Sequence, residues 1–335
     1  MTDLSAAILE PELTPRSTAE ARWRALRTVS RGDVVFRAVL TVLALLLPFL
    51  LLMIAVELVS NAMPAVSKFG FGFLTHSTWD PVRGEFGALP LIFGTLYSSV
   101  VALVIAVPLA LACAIFLTEF APRWLRAPVA TLIELLAAVP SVIYGLWGIF
   151  VLIPLLRDHL WKVARPVLGH LPLFSGVFYG PSYLAAGVIL SVMILPYIAA
   201  VSREVLLAVP ADQREAGLAL GATRWETVWG VVLPYGRAGI IGAVILGLGR
   251  ALGETMAVTM VIGNRHEVAA SLLQPGYTIA AAIANEFAEA VSDMHLSALF
   301  LAGAVLFLIT VVVNALARVL VWRVARGSAV GSTAV

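Results

Sequence analysis

The chain has 335 residues, of which 61% are hydrophobic and 13% are charged, whereas soluble domains average about 45–50% apolar and about 25% charged residues. Together with a mean hydropathy of +0.97, this composition excludes a soluble globular protein and predicts one surrounded by lipid. The net charge of +2 gives no reason to expect nucleic acid binding, and the single cysteine, Cys113, excludes a disulfide framework. Neither Lys68 nor Lys162 lies in a G-x-x-x-x-G-K-[ST] loop, so the chain has no ATPase site of its own, and its histidines show no metal-binding spacing. We therefore expect no catalytic residues, metal or cofactor.

Residues 1–33 are predicted to form an uncleaved cytoplasmic segment. Trp23, Leu26 and Val29 recur at near-helical spacing among arginines, which suits a helix lying on anionic lipid headgroups. A disordered basic tail is the alternative. The apolar stretch that follows is too long for the hydrophobic region of a signal peptide, and no small-residue cleavage site follows it. Residues 327–335 are predicted to form a C-terminal tail.

Six apolar stretches reach the length of about 20 residues that a spanning helix needs. The sequence thus predicts an all-α integral membrane protein with six transmembrane helices in one domain over residues 34–326. The predicted spans lie near residues 36–60, 91–118, 129–154, 183–202, 239–262 and 296–320.

A seventh apolar stretch, residues 268–285, has polar and turn-forming residues at its centre, from Gln274 through Pro275 and Gly276 to Thr278. Such backbone at mid-bilayer costs several kcal/mol per unsatisfied group. We predict that this stretch is a surface loop or a re-entrant loop.

The basic residues are distributed unevenly between the two sides of the membrane. Fifteen arginines fall on the side of the termini and of residues 203–236, whereas six basic residues fall on the other side. Positive charge is retained in the cytoplasm, so both termini are predicted to be cytoplasmic.

The cytoplasmic loop at residues 203–236 carries the most specific sequence pattern. Asp212 and Glu215 favour the start of a short helix and Gly221 favours its end. The loop resembles the E-A-A-x-x-x-G-x₉-I-x-L-P segment of ATP-binding-cassette (ABC) importer permeases. The matching residues, with glycine for the second alanine and valine for the isoleucine, are Glu215, Ala216, Gly217, Gly221, Val231, Leu233 and Pro234.

This resemblance implies the type I ABC importer permease fold and a coupling helix that docks on an ATPase subunit. The small side chains of Ala216, Gly217 and Ala219 would permit close approach to that partner. A loop helix that rests on lipid is the alternative interpretation of the segment.

Three further stretches, residues 86–99, 134–148 and 249–258, resemble permease subunits of the bacterial phosphate-specific importer, and the chain is nearer to the C-type subunit than to the A-type. The resemblance implies a bacterial inner-membrane protein that forms half of a pore for ATP-driven phosphate import. The implied partners are an A-type permease subunit, two ATPase subunits and an external phosphate-binding protein. A permease for a related oxyanion is the alternative.

Arg250 is the one basic residue inside a predicted span, where a charge costs about 2.5–3.5 kcal/mol. Glu254, four residues later, is expected on the same helix face, where it could pair with Arg250, and Glu134 is a second candidate counter-charge. A guanidinium suits a phosphate oxyanion, and the matching arginine and glutamate are regarded as functional in the phosphate permease family. We therefore predict that Arg250, Glu254 and Glu134 line the substrate path, the alternative being a structural ion network.

Two functions of other classes are alternatives to the permease. A secondary phosphate transporter could use Glu254 and Glu134 as a proton relay, but it would not need the 203–236 loop, and the sequence shows no internal repeat of the kind such carriers often have. A membrane scaffold or sensor would have no use for a charged pair at membrane depth.

Overall fold

The computed structural model describes residues 31–329 and the side chains of residues 32–324. The predictions for the N-terminal segment before Arg31 and for the C-terminal tail after Ala329 lie outside these residues. Within the described residues, six helices are long and apolar enough to cross a membrane. These candidate spans are Gly32–Phe69, Leu89–Phe120, Ser141–Leu168, Tyr183–Leu207, Arg224–Leu252 and Asp293–Val324.

The first candidate span belongs to helix α1, Arg31–Phe69. The chain divides into two units between Glu57 and Leu58, and the described part of the first unit is the α1 segment 31–57. Its large apolar side chains are exposed, with Leu47 at 68% and Phe49 at 60%. A continuous apolar surface of this kind is stable in lipid rather than in water.

A short segment that lies between the first two candidate spans follows α1. It comprises the short helix α2, Gly72–Thr75, and a hairpin of strands β1, Trp79–Asp80, and β2, Glu85–Phe86. The strands are antiparallel, with Trp79 opposite Phe86. Helix α3, Leu89–Ile115, then carries the second candidate span and ends in a π-helical turn, Phe116–Phe120.

The third predicted span, residues 129–154, is not one helix. Helix α4, Arg123–Ala138, ends before Pro140, and Val139 has the extended backbone that a following proline favours. The candidate span instead begins at α5, Ser141–Trp147. It continues through π-helical turns at Gly148–Leu152 and Leu155–Leu160 into α6, Trp161–Leu168.

The fourth predicted span agrees with helix α7, Tyr183–Leu207. The predicted 203–236 loop contains the helices α8, Ala211–Ala219, and α9, Arg224–Thr227. A π-helical turn at Val228–Val232 joins α9 to α10, Leu233–Leu252. The last part of the loop is therefore helical, and the fifth candidate span starts at Arg224 rather than near residue 239. It also ends earlier than expected, because α10 stops at Leu252 and residues 256–261 form a separate helix, α11, Met256–Val261.

The 268–285 stretch is packed inside the chain. Tyr183 and Leu184 of α7 donate backbone hydrogen bonds to the carbonyls of Gln274 and Leu272, and Leu273 is fully buried. The stretch continues into helix α12, Ile279–Glu286, and the last helix is α13, Asp293–Ala329. This burial favours the re-entrant alternative over the surface loop, because irregular backbone tolerates a membrane environment only when protein covers it.

Helix α7 lies at the centre of the packing, since 14 of its 25 residues are buried. Small residues allow the neighbouring helix backbones to approach it closely. A Cβ atom on Gly187 would collide with Cγ1 of Val101 in α3. On α3, fully buried alanines recur every four residues and so share one face, at Ala102, Ala106, Ala110 and Ala114.

Candidate translocation and coupling sites

Arg250 lies near the C-terminal end of α10, and its side chain is exposed in the single chain. Its guanidinium carbon lies 5.0 Å from the centroid of the Tyr197 ring on α7. The hydroxyl of Tyr197 donates a 2.9 Å hydrogen bond to the carbonyl of Ala137, at the end of α4. A cation–π contact holds the arginine in place without neutralising its charge.

Glu254 does not share a helix face with Arg250, so the predicted pairing is wrong. Helix α10 ends at Leu252, and Glu254 lies in the non-helical link before α11. Its side chain is 7% exposed, and its Oε1 atom accepts a 3.3 Å hydrogen bond from the backbone N–H of Ala257. The carboxylate therefore caps the start of α11 by accepting this hydrogen bond. The predicted pairing fails because a spacing of four residues brings side chains together only on an unbroken helix.

Glu134 is also separate from Arg250. It is exposed on α4 and lines a cavity of about 240 Å³ together with Arg203 and Glu204 near the end of α7. Among the described residues, neither Glu134 nor Glu254 forms an ion pair with Arg250. The fold thus gives no support to the alternative in which these three residues form one structural ion network, and their prediction as residues of the substrate path remains a prediction.

The sequence reasoning missed Tyr197 and Tyr144. Both hydroxyls bind carbonyls at the C-terminal end of α4, with Tyr197 on Ala137 at 2.9 Å and Tyr144 on Leu136 at 2.7 Å. The last carbonyls of a helix lack intrahelical partners. Pro140, which ends α4, was the available signal that nearby donors would be needed.

The predicted coupling segment is a short helix followed by a turn, as expected. Asp212 lies in the first turn of α8, and Gly221 follows the helix with φ of +84°, a conformation that glycine adopts without strain. Thr223 and Glu226 then form a reciprocal capping box that starts α9. Leu233 and Pro234 begin α10, where a proline is tolerated.

The coupling residues divide between the two sides of α8. Glu215 and Ala216 are exposed, whereas Gly217 is buried against α9. A Cβ atom at Gly217 would lie 3.1 Å from Cγ2 of Thr227. The expectation that Gly217 permits close approach to a partner protein is therefore wrong, because it permits close approach to another helix of the same chain.

A second polar cluster, which the sequence did not predict, lies around Glu286 at the end of α12. One carboxylate oxygen is 2.8 Å from Nε1 of Trp79 and 3.0 Å from Nε2 of His295, and the other is 3.4 Å from Nε2 of His266. Burial raises the pKa of Glu286, but the contacts with these three side chains outweigh that effect and lower the pKa below its usual range. The cluster joins the β1–β2 hairpin to α12 and α13.

The fold and these sites define a polytopic membrane protein of the permease class. Residues 106–326 match the family described as the inner membrane component of binding-protein-dependent transport systems. The chain belongs to this family, and the match confirms the predicted membrane fold class. The matched range includes Arg250, Glu254, Glu134 and the whole predicted coupling segment.

Curated relatives extend the similarity over most of the chain. A phosphate transport system permease protein PstC of Pasteurella multocida is 48% identical, over 87% of this chain and 92% of its own length. The PstC protein of Xylella fastidiosa strain 9a5c is 45% identical, over 94% of this chain and 98% of its own. A probable PstC protein of Methanocaldococcus jannaschii is 41% identical, over 76% and 82%.

Two solved structures of the MetNI methionine ABC transporter, both in inward-facing conformations, also match. One is 21% identical over 70% of this chain and 94% of the other, with a TM-score of 0.46. The second is 18% identical over 72% and 95%, with a TM-score of 0.48.

Proposed function

We propose that this chain is the C-type permease subunit of an ABC importer and forms half of the pathway for ATP-driven uptake of inorganic phosphate. The observation that carries the proposal is the environment of Arg250. Its partner is the Tyr197 ring at 5.0 Å rather than a carboxylate, so its positive charge stays available for an anion. A guanidinium presents a planar donor fork that matches two oxygens of a phosphate.

The exposure of Arg250 supports a second permease subunit as a partner. A charge on the outer surface of a span is costly unless another protein or a water-filled path covers it. An A-type subunit packed on this face would bury Arg250 and leave it facing a shared pathway. The names of the curated relatives support phosphate as the anion that passes.

The coupling segment supports ATPase subunits as further partners. Helix α8 presents Glu215 and Ala216 outward on the side where the basic residues predict cytoplasm. Two ATPase subunits would bind there and hydrolyse ATP for a chain without an ATPase site of its own. In this topology both termini are cytoplasmic, the Glu286 cluster is external, and an external phosphate-binding protein delivers the anion to the multi-pass inner-membrane complex.

The experiment is uptake of radiolabelled phosphate into proteoliposomes that contain this chain, its partner permease and the two ATPases. The ATPase subunits face the interior of the vesicles, where ATP is enclosed, and the binding protein is added to the outside solution. We expect uptake that requires ATP and the binding protein and that excess sulfate does not reduce.

Each alternative has its own outcome in the same assay. If sulfate or another oxyanion competes with phosphate for uptake, the chain is a permease for that oxyanion and is not specific for phosphate. Uptake driven by a pH gradient without ATP would replace the ABC importer with a secondary transporter. Glu254 caps α11, whereas Glu134 lines the cavity that also contains Arg203 and Glu204. This separation gives no support to a proton relay between the two carboxylates.

A further inference from the structure

Arg214 is a half-buried arginine on α8 whose guanidinium contacts the ends of two other helices of the chain. Its Nε and Nη2 atoms lie 3.3 and 3.1 Å from Oε1 of Glu119. Nη2 also donates to the carbonyl of Leu206 at 2.6 Å, and Nη1 donates to the carbonyl of Val209. One side chain therefore connects α8 to the end of α3 and to the end of α7.

The acceptors of Arg214 are suited to hold a cation. Glu119 belongs to the π-helical turn Phe116–Phe120 that ends α3, and its side chain is 15% exposed. Leu206 lies in the last turn of α7, where carbonyl groups carry the negative end of the helix dipole, and Val209 lies two residues beyond the end of that helix. A guanidinium can satisfy all of these acceptors at once because its donors are held in one rigid plane.

The opposite sides of α8 have different surroundings. Arg214 and Gly217, three residues apart, share the face that meets the rest of the chain. Glu215, next to Arg214, is exposed on the side that the proposed ATPase partner would contact. A displacement of α8 by that partner would reach α3 and α7 through the Arg214 guanidinium.

Helix α7 continues this connection toward the proposed substrate path. Tyr197, whose ring contacts Arg250, lies on the same unbroken helix as Leu206. Leu206 lies nine positions after Tyr197, which corresponds to about 13.5 Å along the helix at a rise of 1.5 Å per residue. The contacts thus run from α8 through Arg214 and α7 to the arginine of the path.

We infer that Arg214, held by Glu119, Leu206 and Val209, is the positioning residue that transmits movement of the coupling helix α8 to the spans. The inference rests on the proposed function, because it needs an ATPase partner that moves α8. Its distinguishing feature is that loss of Arg214 should separate ATP hydrolysis from transport instead of preventing assembly.

The test is the ratio of phosphate taken up to ATP hydrolysed by the complete complex in proteoliposomes. In Arg214→Gln this ratio should fall about tenfold, within the range typical of coupling between distant sites, while the ATPase subunits still co-purify. Arg214→Lys keeps the charge but not the planar fork and should give an intermediate ratio. Glu119→Gln keeps an acceptor oxygen and should give the smallest decrease.

Arg123→Gln is the matched control. It removes an exposed arginine four residues from Glu119, at the start of α4, and should leave the ratio unchanged. The ratio is measured per assembled complex, so a lower yield does not affect it.

Two outcomes would overturn the inference. One is a wild-type ratio in assembled Arg214→Gln. The other is failure of Arg214→Gln to assemble while Arg214→Lys and Glu119→Gln assemble with a wild-type ratio, which would make Arg214 a residue of folding alone. Absence of ATP-driven phosphate uptake by the unmodified complex would instead contradict the proposed function, so the two failures are distinguishable.

Discussion

Arg214 and Arg250 are two arginines of one chain with opposite surroundings. Arg214 binds a carboxylate and two backbone carbonyls and is 23% exposed, whereas Arg250 is exposed and contacts an aromatic ring. A guanidinium whose donors are mostly occupied, as four of the five N–H groups of Arg214 are, can hold helices together but has little capacity for a ligand. One that rests on a ring is oriented yet still charged, so its donors remain available to an anion.

The largest expected effect comes from Arg250. Loss of a charge-assisted hydrogen bond costs about 1.5–3 kcal/mol, so Arg250→Gln should reduce phosphate uptake by roughly ten- to a hundredfold while the complex still assembles. Uptake by the reconstituted complex measures this. The double variant Arg250→Gln with Glu254→Gln should be as defective as the single one, and near-normal transport there would reduce Arg250 to a structural ion-pair partner.

The next effect should come from Gly221, which tests whether α8 must keep its geometry for Arg214 to act. A β-branched residue at a φ of +84° costs about 1–2 kcal/mol, so Gly221→Val should weaken co-purification of the ATPase subunits about five- to thirtyfold. Asparagine tolerates this backbone conformation, so Gly221→Asn is the matched control. Equal ATPase binding by both variants would contradict a coupling role for this turn.

A smaller effect should come from Tyr197, which separates the orientation of Arg250 from its charge. A cation–π contact is worth about 0.5–1 kcal/mol at an exposed site, so Tyr197→Leu should raise the phosphate concentration for half-maximal transport two- to fivefold. Tyr197→Phe keeps the ring and loses only the hydrogen bond to Ala137, so it should lie close to the unmodified protein. If leucine and phenylalanine behave alike, the ring does not orient Arg250.

The smallest expected effect on transport comes from Glu286. Its carboxylate resembles the Arg214 guanidinium because several polar groups of the chain contact it. Its folded-state pKa is lowered, so its ionised form stabilises the fold above its ordinary pKa, and that contribution is lost as pH falls through the folded value. We expect the difference in melting temperature between the unmodified protein and Glu286→Gln to be largest near neutral pH and to shrink below about pH 4.5. A constant difference across this range would contradict the ionised assignment.

Local sequence patterns predicted the apolar spans and the short coupling helix well. Hydrophobic length depends on consecutive residues, and the helix signals at Asp212 and Gly221 act on the backbone within one or two turns. The prediction for residues 129–154 was wrong in its bounds because it rested on apolar length, which does not show that Pro140 separates two helices. In the structure this proline ends α4 and starts another helix.

The pairing of charges was decided by the tertiary structure alone. Four-residue spacing suggested Arg250 with Glu254, but the helix ends at Leu252 between them. The residues that do contact the two arginines are distant in the chain, since Tyr197 lies 53 positions before Arg250 and Glu119 lies 95 before Arg214. A side chain contacts the groups that are near it in space. Helix packing, and not proximity in the sequence, brings α7 and the end of α3 to the two arginines. The sequence by itself determined a six-span membrane permease with a short helix in its 203–236 loop, and only the packing of its helices decided which arginine pairs with a carboxylate and which contacts an aromatic ring.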